Sequence, residues 1–453
     1  MKQDLKEAIN ESPMSSFQKF VLAVCIALNM LDGFDVLAVA FSAPHLAADW
    51  HLSGKELGTL LSAGLFGMAA GGLFIAPFAD RIGRRLLVLL CLFAIAAGML
   101  ASAFAQTLDQ LVALRVATGL GIGGMLASIS VIAAEYASNK WRSGAISMLS
   151  TGYTLGATIG GAITGLLLTH YSWRSAFLFG GVCTLLIIPL ALYGLPESLD
   201  FLIAKRPKAA LSRVNAILKR MKRDTVNELP DADRIAQVTR APMAGVVVPS
   251  PVMVLRTVLI WIAFVCVMAG FYFVMSWTPK LLVQAGMSAS QGVTGGVLLN
   301  VGGIVGCTLF SLVSGRVKLN TLLTSFLVGS AVFLVVFGAN ASRLQFAMPA
   351  AIVLGAAISA CVGGLYALTP LLYSPTARAT GVGWAVGMGR LGAMVAPVLV
   401  GVLMDKGWQA SNLYYLFAVP FLFAVLPVNV IAYTIRKRDA GVTMTLSKQH
   451  EIL

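Results

Sequence analysis

Leu31-Asp32-Gly33-Phe34-Asp35 lies inside a run, 20–42, that is otherwise apolar apart from Asn29 and Ser42. About 20 apolar residues cross the hydrocarbon core of a bilayer, so the run reads as a transmembrane helix with two carboxylic acids in it. With entry near Phe20 and a rise of 1.5 Å per residue, Asp32 lies about 18 Å deep and Asp35 about 22 Å. Three residues apart, they are neighbours on one helix face. Ionisable groups at mid-membrane cost at least about 2.5–3.5 kcal/mol on insertion scales, which marks them as functional candidates. A carboxyl group in so dry a place can be held protonated, as a proton-coupling group requires. The alternative is a structural pair bonded to a neighbouring helix, and spacing does not say which acid carries a proton. Gly33 would let another helix or a substrate approach.

The same length test gives twelve spans: 20–42, 57–79, 86–106, 110–134, 145–169, 175–195, 255–277, 290–314, 321–339, 344–370, 380–404 and 411–435. Only 11% of the 453 residues are charged and 58% are hydrophobic, against roughly 25% charged in a soluble domain. A soluble fold is therefore excluded. The expected architecture is an all-α membrane protein: a six-helix half over 1–195, a linker over 196–254, and a second six-helix half with a tail over 255–453. No cleavage site comes after the first apolar stretch, so the first helix is expected to remain uncleaved.

The formal net charge is +14, but the positives fall between apolar runs and there is no nucleic-acid motif beside them. Of the 33 Lys and Arg, 26 lie in the N-terminus, the loops at 80–85, 139–142, 196–256, 315–320 and 371–379, and the tail after Ile435. Five lie in the alternate loops, at Lys55, Arg174, Lys280, Arg343 and Lys406, and two lie within spans. By the positive-inside rule both termini face the cytoplasm of a multi-pass inner-membrane protein. In the linker, Ala204 to Arg223 is basic and could lie as a short amphipathic helix on the anionic inner leaflet. Asp224 to Asp233 is acidic, and Pro242, Pro249 and Pro251 interrupt the remainder of the linker and the approach to the next span. Pro44 and Pro279 each end the first span of a half, at an offset of 235 residues. Ser53 and Ser288, Gly67 and Gly302, and Gly71 and Gly306 share that offset, which points to duplicated halves of the kind transporters use.

Two arginines lie inside spans, and neither can discharge itself. Arg115 sits in the fourth; its partner is one of the first-helix acids, or it serves substrate or gating. Arg390 sits near mid-membrane in Gly387-Met388-Gly389-Arg390-Leu391-Gly392, where glycines open space round a forked donor suited to a carboxylate. A fixed salt bridge is its alternative role. Tyr153, Phe271, Tyr272, Trp277, Tyr366 and Trp384 are candidate cavity aromatics, with Trp277 also suited to an interfacial belt. At the inner ends, Asp80, Arg81, Arg84 and Arg85 form a loop that could bridge helix ends in one state and release them in another. Gly83 permits its tight reversal. Glu135 is read as an inner-gate partner for basic loop residues such as Arg142. The six cysteines lie singly in apolar runs, so no disulfide, metal site or cofactor is expected. The four histidines form no catalytic set.

These motifs together resemble the major facilitator superfamily over almost the whole chain. Ala79-Asp80-Arg81-Ile82-Gly83-Arg84-Arg85 is similar to that family's loop between helices two and three. Arg115-Val116-Ala117-Thr118-Gly119-Leu120-Gly121 is similar to its helix-four motif, and Gly152-Tyr153 through Gly160-Gly161 to its helix five. Trp173-Arg174 and Leu195-Pro196-Glu197-Ser198 fit the end of a first half. Leu31-Asp32-Gly33-Phe34-Asp35 with Ala43-Pro44, Glu135-Tyr136, and Arg378-Ala379-Thr380-Gly381 leading into Gly389-Arg390 resemble the aromatic acid:proton symporters. There are departures: Ala76-Pro77 stands where a glycine usually starts the loop motif. Ser314-Gly315-Arg316-Val317-Lys318 lacks the expected acid, and Leu199-Asp200 replaces a common proline-arginine.

The resemblance implies a twelve-helix superfamily fold that brings benzoate, hydroxybenzoate or phenylpropionate inward with protons. It places functional weight on Asp32, Asp35, Asp80 and Arg115. The expected partners are a small organic anion, protons and the lipid bilayer, with a monomer assumed. The rival readings are import of another organic anion, efflux, and a non-transporting membrane sensor.

Overall fold

Within a bilayer the backbone must satisfy its own hydrogen bonds, so apolar runs of this length become helices. The computed structural model describes residues 13–229, 251–373 and 378–450, and in them the chain is helical throughout its regular elements. Among the described residues twelve helices are long and apolar enough to cross a membrane. In order, the helices are α1 Ser16–Asp49, α2 Gly54–Ile82, α3 Arg84–Ala103, α4 Leu108–Tyr136, α5 Asn139–His170 and α6 Arg174–Gly194. Two short helices come next, α7 Leu199–Lys205 and α8 Ala210–Arg220. The second series is α9 Pro251–Gln284, α10 Ala289–Ser314, α11 Leu319–Asn340, α12 Leu344–Leu372, α13 Arg378–Asp405 and α14 Ala410–His450. The chain divides into two compact units, 1–50 with 59–245, and 51–58 with 246–453.

In the first unit, α1 packs on α5 through small residues, as helices in lipid do when backbones must approach closely. A Cβ on Gly33 would strike the Tyr153 carbonyl, and one on Gly156 the Met30 carbonyl. Gly33 therefore opens room for a helix at its own position and not for a substrate. Gly67 and Gly71 of α2 likewise abut the Val116 and Leu120 carbonyls of α4. In the second unit the residues 235 positions on, Gly302 and Gly306 of α10, abut the Ile352 and Ala356 carbonyls of α12. The serines at the same offset behave alike. The Glu56 and Gln291 side chains accept from the backbone N–H groups of Ser53 and Ser288, and each serine hydroxyl caps in return.

Two expectations are corrected. Pro44 and Pro279 do not end their helices, which run on to Asp49 and Gln284; neighbouring groups in a bundle tolerate the missing donor. In α2, by contrast, Gly71–Ile75 is a π turn and Ala76–Phe78 a 3-10 turn around Pro77, so the helix is irregular as it reaches Asp80. The apolar side of α8 does not lie on lipid: Val214, Ile217, Leu218 and the adjoining Met221 are buried within the first unit. Arg220 straps it there, its guanidinium 4.2 Å from the Phe17 ring centre and 5.3 Å from that of Tyr193. Arg223 donates to the Pro13 carbonyl. Pro242, Pro249 and Asp231 to Asp233 lie outside the described residues.

Candidate functional site

Asp35 and Arg115 meet in the interior of the first unit. Arg115 Nη1 donates to Asp35 Oδ1 at 2.9 Å, with only 2% of Arg115 and 7% of Asp35 exposed. Arg115 Nη2 donates to Ser102 Oγ at 2.9 Å, Thr118 Oγ1 at 3.1 Å and Met99 Sδ at 3.3 Å. The Phe177 ring centre lies 5.0 Å from the guanidinium carbon. The cation thus has its counter-charge, two hydroxyls and an aromatic face, the set that makes a buried charge tolerable. A narrow cleft lined by Val39, Leu61, Met68 and Ile122 reaches both members of the pair. Asp32, one turn earlier on α1, is also buried, and Asn29 a further turn back donates to the Leu149 carbonyl of α5 at 2.6 Å. The Tyr153 backbone lies against Gly33, between the two acids.

A second polar cluster gathers where α2, α3, α4 and α6 end. Gly83 has φ +101°, and a Cβ there would strike Glu197 Oε2, so the reversal needs glycine on both counts. It aims the start of α3 at Glu197, whose Oε1 accepts from Arg84 N at 2.8 Å and Arg85 N at 3.1 Å. A carboxylate at a helix N-terminus is favoured by the orphan N–H groups and the dipole. Arg84 Nη2 donates to Asp80 Oδ1 at 3.0 Å and Nη1 to Ser198 Oγ at 3.3 Å. Glu135 accepts from Ser198 Oγ at 2.8 Å and Leu199 N at 3.0 Å, which caps α7. Next to it, the Tyr136 hydroxyl donates to the Glu197 carbonyl. Arg85 Nη2 donates to the Leu192 carbonyl and Arg142 Nε to that of Ala134, while Arg81 lies over the Phe78 ring.

Glu197 is the hub, and the sequence marks it only within Leu195-Pro196-Glu197-Ser198 at the end of a first half, with no role of its own. Glu197→Ala removes the acceptor for two backbone donors, and charge-assisted bonds are worth about 1.5–3 kcal/mol. Thermal unfolding of the purified variant is expected to show a loss of stability of that size. Glu197→Gln keeps an acceptor oxygen and should lose less; equal loss in both would show that charge, not acceptance, matters.

In the second unit Arg390 is half-buried on α13, and Tyr366 lies within electrostatic reach of both Arg390 and Tyr272. Gly392 abuts the Val265 carbonyl, which draws α13 onto α9. Phe264 meets Tyr366 edge-on at 5.6 Å, and Phe271 meets Tyr272 at 5.3 Å. Trp384 is 60% exposed and lies 6.0 Å from Trp261, its ring tilted by 32°; Trp261 is an aromatic that its place in the sequence did not mark. Trp277 belongs neither to a belt nor to a cavity wall. It is fully buried, and its Nε1 donates to the Pro397 carbonyl at 3.2 Å, because α9 continues past it. Among the described residues no group of three or more His, Cys, Asp and Glu could hold a metal ion.

Twelve long apolar helices, a buried arginine–carboxylate pair and a charged loop after the second helix define a polytopic membrane transporter. The chain belongs to the Major Facilitator Superfamily, whose family model matches residues 22–335. It is similar to a gallate transporter of Pseudomonas putida, 30% identical over 430 residues that cover 94% of each chain. It is also similar to a 4-hydroxybenzoate transporter of Acinetobacter baylyi, 29% identical over 438 residues and 95% of each chain. Among solved structures it resembles a xylose transporter of E. coli with a TM-score of 0.72, covering 91% of this chain and 97% of the other. At 17% identity that likeness speaks for the fold alone.

Proposed function

We propose that this protein is a proton-driven importer of a small aromatic carboxylate, set in a bacterial inner membrane with both termini in the cytoplasm. In this reading 1–195 and 255–453 are its two six-helix halves and 196–254 joins them. The observation that carries it is the Asp35–Arg115 pair, buried one helical turn from Asp32. A fixed cation with its counter-ion beside a second acid allows one carboxyl group to take and give a proton while the pair holds. The similarity to transporters of gallate and 4-hydroxybenzoate, both aromatic carboxylates, supports the substrate class.

Arg390 is assigned to the substrate carboxylate, with Tyr272, Tyr366 and Trp384 about the ring. A forked guanidinium suits a carboxylate, and aromatic faces suit an aromatic ring. Asp80, Arg84, Glu197 and Glu135 are assigned to the inner-end contact that opens and reforms during the cycle. Symport is electrically sensible: a monoanion entering alone against an inside-negative potential loses about 2.3 kcal/mol per 100 mV, and one proton cancels that loss.

The test is uptake of labelled 4-hydroxybenzoate, benzoate, gallate and 3-phenylpropionate into energised vesicles, with and without a protonophore. Accumulation of at least one acid that collapses with the protonophore is expected. A folded protein that accumulates none of them, or accumulates one regardless of the protonophore, would overturn the reading.

A further inference from the structure

In the second unit, Gly383, Gly387, Arg390, Met394, Pro397 and Gly401 follow one another at alternate steps of four and three residues, so they lie along one face of α13. The two ends of that face differ. Pro397 and Gly401 are buried, and a Cβ on Gly58 or Gly54 would strike their carbonyls, so the first turn of α2 covers this end. Met394 and Arg390 are half-buried. Gly387 and Gly383 are exposed, and a Cβ on either would meet nothing within 4 Å.

The glycines beside Arg390 thus fall into two kinds. A Cβ on Gly389 would press on Phe264 and Met268, and one on Gly392 would strike the Val265 carbonyl, so these two seat α13 on α9. Gly383 and Gly387 seat nothing, although glycine weakens a helix interior relative to alanine. Their face is not a lipid surface. An arginine within a span turns to protein, water or a ligand, and the same face goes on to hold α2. Helical side chains lean toward the N-terminus, which carries Arg390 over Gly387. Trp384, 60% exposed and three residues from Gly387, borders the bare stretch.

We infer that Gly387 and Gly383 are kept without side chains to receive the substrate, and that Gly383 sets the length of acid the protein accepts. This rests on Arg390 as the partner of the substrate carboxylate, as proposed above. The carboxylate meets Arg390 over Gly387, and the ring lies along α13 toward Gly383, about 6 Å further on at 1.5 Å per residue. The Trp384 indole stands at its edge. A ring joined directly to its carboxylate ends near Gly383, whereas a ring carried on two methylene groups passes over it.

Calorimetric titration of the purified full-length protein with benzoate and with 3-phenylpropionate tests this. Gly383→Leu is expected to weaken 3-phenylpropionate about tenfold more than benzoate, a factor within reach of crowding by one side chain. Gly387→Leu is expected to weaken both acids about tenfold or more. Gly383→Ala and Gly387→Ala should unfold at or above the wild-type temperature, because the added methyl meets nothing and alanine favours the helix. Alanine variants that unfold at lower temperature would show that the two positions are packed, and would overturn the proposal. Leucine variants that bind both acids as wild type does, or Gly383→Leu weakening the two equally, would sink the length selection while leaving Arg390 its assignment. Wild-type protein that binds neither acid would remove the assignment and the proposal together.

Discussion

Replacing Arg115 by leucine is expected to abolish uptake and to lower the stability of the folded protein by about 3–5 kcal/mol, because the Asp35 carboxylate would remain buried without its cation. Asp35→Leu should do similar damage from the other side. The double variant, Asp35→Leu with Arg115→Leu, separates structure from function. Replacing a whole buried ion pair by apolar groups is often neutral or stabilising. The surroundings permit it here, since the Ser102 and Thr118 hydroxyls already donate to the Gly98 and Leu114 carbonyls of their own helices. Neither hydroxyl is orphaned when the guanidinium leaves. Thermal unfolding of the purified variants should therefore show the double close to wild type and far above either single. Uptake should be absent in all three. A double variant that transports would make the pair a structural brace and nothing more; single variants as stable as wild type would show that the two charges do not depend on one another in the interior.

The spans could be read from the sequence because run length and apolarity alone decide which segments enter a bilayer. The shared offset of Gly67 and Gly302, and of Gly71 and Gly306, proved to reflect one packing contact made twice, helix against helix through glycine. What could not be read is where a side chain finds its partner across the fold. Asp35 and Arg115 are 80 residues apart, and the sequence left Asp32 and Asp35 equally placed to meet the arginine. Glu197 looked like the end of a half, yet it holds two N–H groups more than 110 residues away. Trp277 and the prolines misled for a local reason. A helix in a bundle can run past a proline, so a residue that reads as a span end becomes an interior one. The apolar side of α8 had two possible hosts, lipid or protein, and composition cannot choose between them.

Asp32→Asn is expected to remain folded and to lose concentrative uptake entirely. Asparagine keeps the shape and one acceptor oxygen but cannot cycle a proton. The choice of Asp32 over Asp35 as carrier rests on the cation that Asp35 holds. Protonating Asp35 strands the Arg115 cation in the interior, whereas Asp32 can change charge with the pair intact. With coupling lost, substrate should still equilibrate and exchange, since Arg390, the proposed carboxylate partner, is untouched. Each net charge entering is worth about 2.3 kcal/mol per 100 mV, roughly a fortyfold concentration ratio if a second proton accompanies the anion. The variant should instead level off near a ratio of about 1, like the wild type under protonophore, while exchanging labelled for unlabelled substrate at close to the wild-type rate. Loss of both accumulation and exchange would mean that Asp32 serves substrate binding or the conformational cycle. Accumulation at the wild-type level would remove Asp32 from the proton path and leave Asp35, released from Arg115 when substrate arrives, as the carrier.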